Sequence, residues 1–218
     1  MPISKTVRDA LVSASAIRQM FEQAIRLKAE VGEDQVADLS LGNPVVEPPP
    51  AVMERLRALA ADPTPGTHRY MQNAGLPATR RAVAAHLARE TGVPYGEGHI
   101  VMTVGAGGGL NVVLKAILDP GDEVIVLSPF FVEYPHSLRT FGAKMVLVDT
   151  DARFRPDAGK IAAALNDRTR AVIVNSPNNP TGVVYDAADY DGLAAVLRAC
   201  LLYTSDAADD PTLVYVSV

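Results

Sequence analysis

A chain of 218 residues is long enough to bury the core of one large domain or two small ones. Its 48% hydrophobic and 21% charged residues are ordinary for a globular protein, and a formal net charge of −5 provides no basic surface for nucleic acid or a membrane. The single cysteine, Cys200, excludes a disulfide framework and a thiolate metal site, and we expect no metal. The N-terminus lacks the apolar run of a signal peptide, and no segment has transmembrane length. We therefore expect a cytoplasmic protein that acts on small molecules.

The N-terminal part of the chain predicts mainly helices. Apolar residues at 3–4 spacing predict an amphipathic helix over Ser15–Val31, which Gly32 stops, and a short strand is predicted over Val36–Leu41. Two further helices are predicted, over Ala51–Ala61 and Pro77–Thr91. We expect residues 1–45 to form an arm and a segment of a smaller domain.

From residue 100 onward, short apolar runs alternate with helical stretches. The predicted strands are Ile100–Val104, Val124–Leu127, Met145–Val148 and Ala171–Val174. The helices predicted between them are Leu110–Leu118, Val132–Phe141 and Ala158–Leu165. Continuous apolar runs separated by helices are typical of a parallel sheet that is covered on both faces. We therefore predict an α/β fold, with three α/β/α layers and a mostly parallel sheet, and place this domain at residues 46–199.

The most specific motif is Asn-Ser-Pro-Asn-Asn-Pro-Thr-Gly at residues 175–182, directly after the last predicted strand. Ligands of open α/β sheets bind at the carboxyl ends of strands, so this loop is well placed for binding. Its prolines fix backbone angles and remove donors, which allows the loop to hold one amide side chain at a fixed angle. A plain Asn-Pro turn is the alternative that composition alone favours.

A second motif, Val-Gly-Ala-Gly-Gly-Gly-Leu at residues 104–110, lies between a predicted strand and a predicted helix. Backbone amides at a helix N-terminus bind phosphate, and glycines let the anion approach closely. A dinucleotide site would need glycine where Leu110 stands and an acidic residue about 20 positions later, at the end of the second strand, and neither is found there. A P-loop would need Gly-Lys-Ser/Thr after the first glycines, and this sequence does not follow them. A flexible glycine-rich turn without a ligand is the remaining alternative.

In this order, the two motifs resemble those of the pyridoxal-phosphate-dependent aminotransferases of class I/II, which have fold type I. The resemblance covers about Ser15 to Ala199. It implies that pyridoxal 5′-phosphate is the cofactor. By this resemblance, backbone amides of Gly105, Ala106 and Gly107 bind its phosphate, and Asn179 hydrogen-bonds the 3′-oxygen of its ring.

Three further segments carry the resemblance. In Ser-Pro-Phe-Phe-Val-Glu-Tyr-Pro, from residue 128, Phe131 stands where family members stack an aromatic ring on the cofactor, although a core role is the alternative. In Leu-Gly-Asn-Pro, from residue 41, Gly42 stands where the family places an amide near the substrate carboxylate. Tyr70 matches a tyrosine that reaches the cofactor phosphate of the partner subunit, which implies a homodimer. Taken alone, Tyr70 is typical of a surface loop.

The catalytic residues of the family are not found in this chain. Family members provide a Schiff-base lysine, an aspartate beside the pyridine nitrogen and a carboxylate-binding arginine after the Asn-Pro-Thr-Gly loop. All five lysines of this chain precede Asn179. We therefore assign no catalytic residue and expect an inactive N-terminal half. Asp206 falls near the expected position of the aspartate, but Asp209 stands where the family has tyrosine, so we do not assign the role.

The sequence of the last segment, residues 200–218, indicates that it does not come from the same gene as the rest of the chain. Back-translation of the eleven residues 200–210 fits a transposon-end oligonucleotide that is used in sequencing libraries. An ordinary strand and loop is the alternative. We interpret the segment as a translated adapter that is not native, and we exclude it from the fold.

The leading functional hypothesis is transfer of an amino group between an amino acid and a 2-oxo acid, as in aspartate aminotransferases. A lyase or synthase of the same fold and cofactor is one alternative, because it would share these segments. A non-catalytic effector-sensing domain of a regulator is another. That function needs a helix-turn-helix ahead of the domain, and residues 1–16 are too short to hold one.

Overall fold

The structure is a computed structural model that describes residues 3–5, 7–8, 15–39, 46–62 and 64–201. The chain divides into two compact units, Met1–Tyr70 and Met71–Val218. The three domain ranges predicted from the sequence stay a prediction. Gly42 and Asp206 lie outside the described residues. Where the chain is described, no helix is both long and apolar enough to cross a membrane.

The described part of the first unit includes the helices α1 (Ser15–Val31) and α2 (Pro50–Ala61), which the sequence predicts. Ala24 of α1 is buried. The predicted strand Val36–Leu41 is wrong over its described part, residues 36–39, which contain no strand. Val36 instead closes a 3₁₀ turn by donating its backbone N–H to the carbonyl of Glu33, 3.3 Å away. Leu39 is 93% exposed, and none of the described strands pairs with residues 36–39.

The second unit alternates helices and strands, as the sequence predicts from residue 105 onward. Its elements are α3 (Pro77–Thr91), α4 (Gly105–Ile117), β1 (Glu123–Ser128), α5 (Tyr134–Thr140), β2 (Lys144–Asp149), α6 (Ala158–Ala164), β3 (Thr169–Ile173) and α7 (Ala187–Leu201). The described strands form one parallel sheet in the order β2-β1-β3. The expected α/β fold with a parallel sheet is therefore confirmed.

The predicted strand Ile100–Val104 is wrong, because these residues join no sheet among the described strands. The run is fixed by single hydrogen bonds instead. Met102 donates its N–H to the carbonyl of Ala74 at 2.9 Å, and Arg80 Nε donates to the carbonyl of Ile100 at 2.9 Å. The apolar sequence alone predicted a strand, but a strand also requires a neighbour that can complete its hydrogen-bond ladder.

The central strand β1 is buried on both faces. Val124 and Val126 pack in a cluster with Leu114 of α4, Leu118 just after it and Leu138 of α5. Ile125 and Leu127 pack on the opposite face in a second cluster, with Val148 of β2, Ile161 of α6 and Leu193 of α7. Successive side chains of a strand point to opposite faces, so β1 joins two helical layers through one sheet. These are the three layers that the sequence predicts.

The parallel register places the ends of the strands together. Ser128, at the end of β1, pairs with Asp149, at the end of β2, and Val126 pairs with Ile173, at the end of β3. The loops that leave the three strands therefore begin at one edge of the sheet, where ligands of α/β domains bind. The opposite edge is stabilised by Glu123, which accepts hydrogen bonds from Asn166 at 2.8 Å and Arg168 at 2.9 Å.

Ile161 provides a test of this packing, because α6 buries it fully in the second cluster. We expect Ile161→Ala to lower the free energy of unfolding by about 2 to 5 kcal/mol, since it removes three buried carbons and leaves a cavity. Leu147→Ala is the matched control, because Leu147 is 52% exposed on β2. Urea unfolding followed by circular dichroism measures both. A similar loss in the two variants would contradict the assigned core.

Glu123 makes stability depend on pH. The hydrogen bond from Asn166, aided by the charge of Arg168, lowers the pKa of Glu123 against the opposing effect of burial. A carboxyl whose pKa is lower in the folded than in the unfolded state stabilises the fold at pH values above its unfolded pKa of about 4.3. This stabilisation is lost as the pH falls through the pKa of the folded state. We expect the unfolding free energy to fall less steeply below pH ~5 in Glu123→Gln than in the parent. Urea titrations at several pH values measure the slopes, and equal slopes would contradict the assignment.

Candidate functional site

The glycine segment forms the first turn of α4 instead of a loop ahead of it. Gly105 begins the helix with φ of 67°, a left-handed value that favours glycine. Val104 precedes it as the N-cap and provides no side-chain hydrogen bond to the first turn. The backbone N–H groups of a first turn have no partner within the helix and carry a partial positive charge.

Space is open around this first turn. A Cβ atom built on Gly105 or Gly107 would meet no heavy atom within 4 Å. The nearby polar side chains bind carbonyls and leave the amides available: Thr103 Oγ1 donates to the carbonyl of Gly105 at 3.0 Å, and Asn111 Nδ2 donates to that of Gly107 at 2.8 Å. An uncapped, glycine-lined N-terminus of a 13-residue helix fits a phosphate group.

The loop at residues 175–182 is held by its own side chains. Asn178 is buried, and its Oδ1 accepts hydrogen bonds from the N–H of Thr181 at 3.2 Å and from Thr181 Oγ1 at 2.8 Å. Its backbone N–H donates to the carbonyl of Val183 at 2.8 Å, and its carbonyl accepts from Gly182 at 2.7 Å. The peptide bonds before Pro177 and Pro180 are cis. The hydrogen bonds of Asn178 close the loop into a compact turn.

Asn179 has the opposite character to Asn178, since it is exposed. Its backbone N–H donates to Asn175 Oδ1 at 2.8 Å, which fixes the main chain at this position. The side chain of Asn179 forms no hydrogen bond with any described residue. An exposed amide on a fixed backbone is suited to binding a polar ligand atom.

The loop after β1 carries two adjacent phenylalanines with different surroundings. Phe130 packs against the first hydrophobic cluster, together with Leu110 of α4. Phe131 is 36% exposed and meets the ring of Tyr134 edge to face, with centroids 5.6 Å apart. Burial raises the pKa of Tyr134, so its hydroxyl stays neutral at physiological pH. Phe131 is therefore the phenylalanine of this pair that offers ring surface to a ligand.

Contacts connect these segments in pairs. Asn178 Nδ2 donates to the carbonyl of Pro129 at 3.4 Å and so joins the loop after β3 to the loop after β1. Leu110 and Phe130 in one cluster join the first turns of α4 to the loop after β1. Tyr70 is fully exposed in the first unit, and Gly42 is not described.

The sequence analysis overlooked Asn178, although this residue has the most buried side chain of the predicted ligand loop. A signal was available, because asparagine side chains commonly accept hydrogen bonds from the backbone two or three residues later in a turn. Because Asn178 and Asn179 are adjacent, either of them could have been the asparagine that accepts these hydrogen bonds. Only packing distinguishes the inward Asn178 from the outward Asn179.

Lys115, Lys144 and Lys160 interact with other residues of the second unit. Lys160 Nζ donates to the carbonyls of Asp149 and Thr150, at 3.3 Å each. Lys115 lies over the ring of Phe141, 6.0 Å from its centroid. Lys144 interacts electrostatically with Glu123 at the far edge of the sheet.

The fold and the comparison with known families define the class of protein. The family model "Aminotransferase class I and II" matches residues 34–208, most of the chain. The chain belongs to the class I/II aminotransferase family, whose members depend on pyridoxal phosphate. The match extends nine residues into the segment 200–218, for which an adapter origin stays a prediction.

Several relatives similar to this chain are named as aspartate or aspartate/prephenate aminotransferases. The chain is 41% identical over 189 residues to an aspartate/prephenate aminotransferase of Thermus thermophilus, covering 86% of this chain and 48% of the relative. It is 33% identical over 195 residues to an aspartate aminotransferase of Geobacillus stearothermophilus, covering 88% and 48%. The chain therefore spans about half the length of the curated relatives it matches.

Solved structures agree on the fold. An aminotransferase of Eubacterium rectale superposes with a TM-score of 0.87 at 31% identity, covering 94% of this chain and 52% of that one. The Thermus thermophilus aspartate aminotransferase with maleate superposes with a TM-score of 0.77 at 35% identity, covering 91% and 51%. Both similarities support the α/β assignment.

The helix start provides a matched pair of variants. We expect Gly105→Ala to lower the free energy of unfolding by about 1 kcal/mol, because φ of 67° is strained for an L-residue although the added Cβ meets no atom. Gly107→Ala adds a Cβ in equally open space without a left-handed φ, and we expect it to leave stability unchanged or to raise it slightly. Thermal unfolding measures both, and equal stability of the two variants would contradict the described helix start.

Proposed function

We propose that this chain is the cofactor-binding N-terminal portion of an aminotransferase that moves an amino group between an amino acid and a 2-oxo acid. The observation that carries the proposal is the connection of three segments at one part of the second unit. The uncapped first turn of α4 shares a core cluster with the loop after β1, and Asn178 ties that loop to the loop after β3. These contacts support a phosphate site and a ring site on one sheet.

Each segment takes one part of the cofactor in this proposal. Backbone amides of Gly105, Ala106 and Gly107 bind the phosphate, whose charge the helix dipole favours. Phe131 lies against the ring face, and the side chain of Asn179 hydrogen-bonds the 3′-oxygen. When bound, pyridoxal phosphate supplies the electron sink that stabilises negative charge at the substrate α-carbon. The residues of this chain orient the ring and keep one face covered.

Two other residues extend the proposal beyond the second unit. Tyr70 reaches the cofactor phosphate of a partner subunit, and its full exposure is consistent with a residue that binds outside its own unit. The parent enzyme is then a homodimer with shared sites. The backbone amide of Gly42 binds the substrate carboxylate. The cytoplasmic location stays a prediction.

The substrate is proposed from the relatives. Their names include aspartate and prephenate, so we propose an acidic amino acid or its 2-oxo acid as one substrate. A lyase, a synthase or a regulator of the same fold is not favoured, because the relatives and solved structures named above are aminotransferases.

The 218-residue chain is expected to bind pyridoxal phosphate weakly and to lack turnover, because all five lysines precede Asn179. The test is to add pyridoxal phosphate to residues 1–218, record the absorbance spectrum, and assay amino-group transfer from aspartate to 2-oxoglutarate. We expect saturable binding without transfer. Turnover, together with a borohydride-stable cofactor adduct at one specific lysine, would contradict the expected inactivity.

Asn179→Ala tests the assigned ring contact. We expect the dissociation constant of pyridoxal phosphate to rise about tenfold, the equivalent of one hydrogen bond to a charged or polarised oxygen. Asn166→Ala is the control, because it also removes a side-chain amide, but one that binds Glu123 at the opposite edge of the sheet. Equilibrium dialysis measures both variants. An equal loss in the two would show that Asn179 has no specific contact with the cofactor.

A further inference from the structure

The buried amide of Asn178 occupies a position between the two loops that are proposed to hold the cofactor ring. It is 7% exposed, while its neighbour Asn179 is exposed. No cofactor atom needs to touch Asn178, since both ends of its side chain bind protein. Its function must therefore be exerted through other residues.

The two ends of the Asn178 side chain bind different segments. Oδ1 accepts two hydrogen bonds from Thr181, at 3.2 Å from the N–H and 2.8 Å from Oγ1, and so fixes the turn that presents Asn179. Nδ2 donates to the carbonyl of Pro129, two residues before Phe131, at 3.4 Å. An amide has one acceptor and one donor group at a fixed separation, which suits it to joining two backbone segments.

We propose that Asn178 is a positioning residue that sets the distance between Asn179 and Phe131, and thereby the fit of the pyridoxal ring between them. The inference rests on the proposed cofactor site and deepens it. The phosphate contact at the first turn of α4 does not pass through Asn178. Removal of the amide therefore weakens ring binding and leaves phosphate binding intact.

Comparing the affinity for pyridoxal phosphate with the affinity for inorganic phosphate distinguishes a positioning residue from one that only supports the fold. A residue that only stabilised the unit would, when removed, lower the free energy of unfolding and leave both affinities of the folded protein unchanged. A positioning residue changes the affinity for pyridoxal phosphate, because two contacts that were preorganised lose their geometry. The affinity for inorganic phosphate serves as the internal reference.

The experiment uses a single-tryptophan reporter. The chain contains no tryptophan, so Phe131→Trp places one fluorophore at the proposed ring face. Pyridoxal phosphate should quench its emission in a saturable way, and inorganic phosphate should reverse the quenching by competition. These two titrations, made on the full 218-residue chain, give the dissociation constant of the cofactor and the inhibition constant of phosphate.

Asn178→Ala in this background should raise the dissociation constant of pyridoxal phosphate about tenfold and leave the phosphate constant within about twofold. Asn166→Ala is the matched control and should leave both constants within about twofold, because its amide binds Glu123 at the other edge of the sheet. Unfolding curves verify that each variant is folded under the titration conditions. If Asn178→Ala does not fold, Asn178→Asp replaces it, since Asp keeps the shape and the acceptor for Thr181 but cannot donate to Pro129 when ionised.

The outcomes separate the two proposals. Loss of cofactor affinity with phosphate affinity retained, in the Asn178 variant alone, supports the positioning role. Unchanged cofactor affinity in a folded Asn178 variant overturns it and leaves the proposed function standing. If the Phe131→Trp parent shows no saturable quenching, the proposed cofactor site fails, and the positioning role fails with it.

Discussion

The burial of β1 between two helical layers is the constraint on which the rest of the second unit depends. Val124, Ile125 and Val126 are fully buried, and burial of each such side chain contributes roughly 1.5 to 3 kcal/mol. Because alternate residues face opposite layers, a slip of one residue would exchange the two clusters. The register with β2 and β3 is therefore fixed by packing, and with it the positions where the three loops begin.

Loops at that edge still have to satisfy their own polar groups, and this requirement shapes the candidate site. The turn at residues 175–182 contains two prolines, which donate no hydrogen bond, so other groups must order its backbone. Asn178 and Asn175 do so through side-chain oxygens that accept backbone N–H groups. The first turn of α4 is the contrasting case, because its amides have no capping side chain. The backbone of the turn at residues 175–182 is hydrogen-bonded by its own side chains, whereas the first turn of α4 leaves amides open to an anion. This difference is expected if the turn contacts a ring and the helix start contacts a phosphate.

Much of this could be predicted from the sequence, for identifiable reasons. The three strands of the sheet were predicted to within two residues, as Val124–Leu127, Met145–Val148 and Ala171–Val174, because each run is short, apolar and bounded by turns. The family resemblance was identified from the order of the glycine segment and the Asn-Pro-Thr-Gly loop along the chain. The α4 boundary was predicted five residues late, because glycines disfavour helix interiors and their role at an N-terminus was interpreted as a loop.

Other features could not be predicted, because they depend on contacts with distant residues. Ile100–Val104 has the composition of a strand, but its pairing depends on a neighbour that composition does not specify. Asn178 and Asn179 are chemically identical, and one contact that distinguishes the inward Asn178 is with the carbonyl of Pro129, 49 residues earlier. The helix Ala187–Leu201 was not predicted, although the side chain of Asp189 accepts a hydrogen bond from the backbone of Asp186 just before it.

The central claim is that the first turn of α4 and the loop after β3 hold one molecule of pyridoxal phosphate. A titration of the ¹⁵N-labelled chain with the cofactor, followed by amide NMR, tests it most directly. The account predicts that the backbone amides of Gly105, Ala106 and Gly107 and the side-chain amide of Asn179 shift together, with one shared midpoint and a stoichiometry of one. Shifts confined to one of the two segments, or shifts with separate midpoints, would contradict a single shared site.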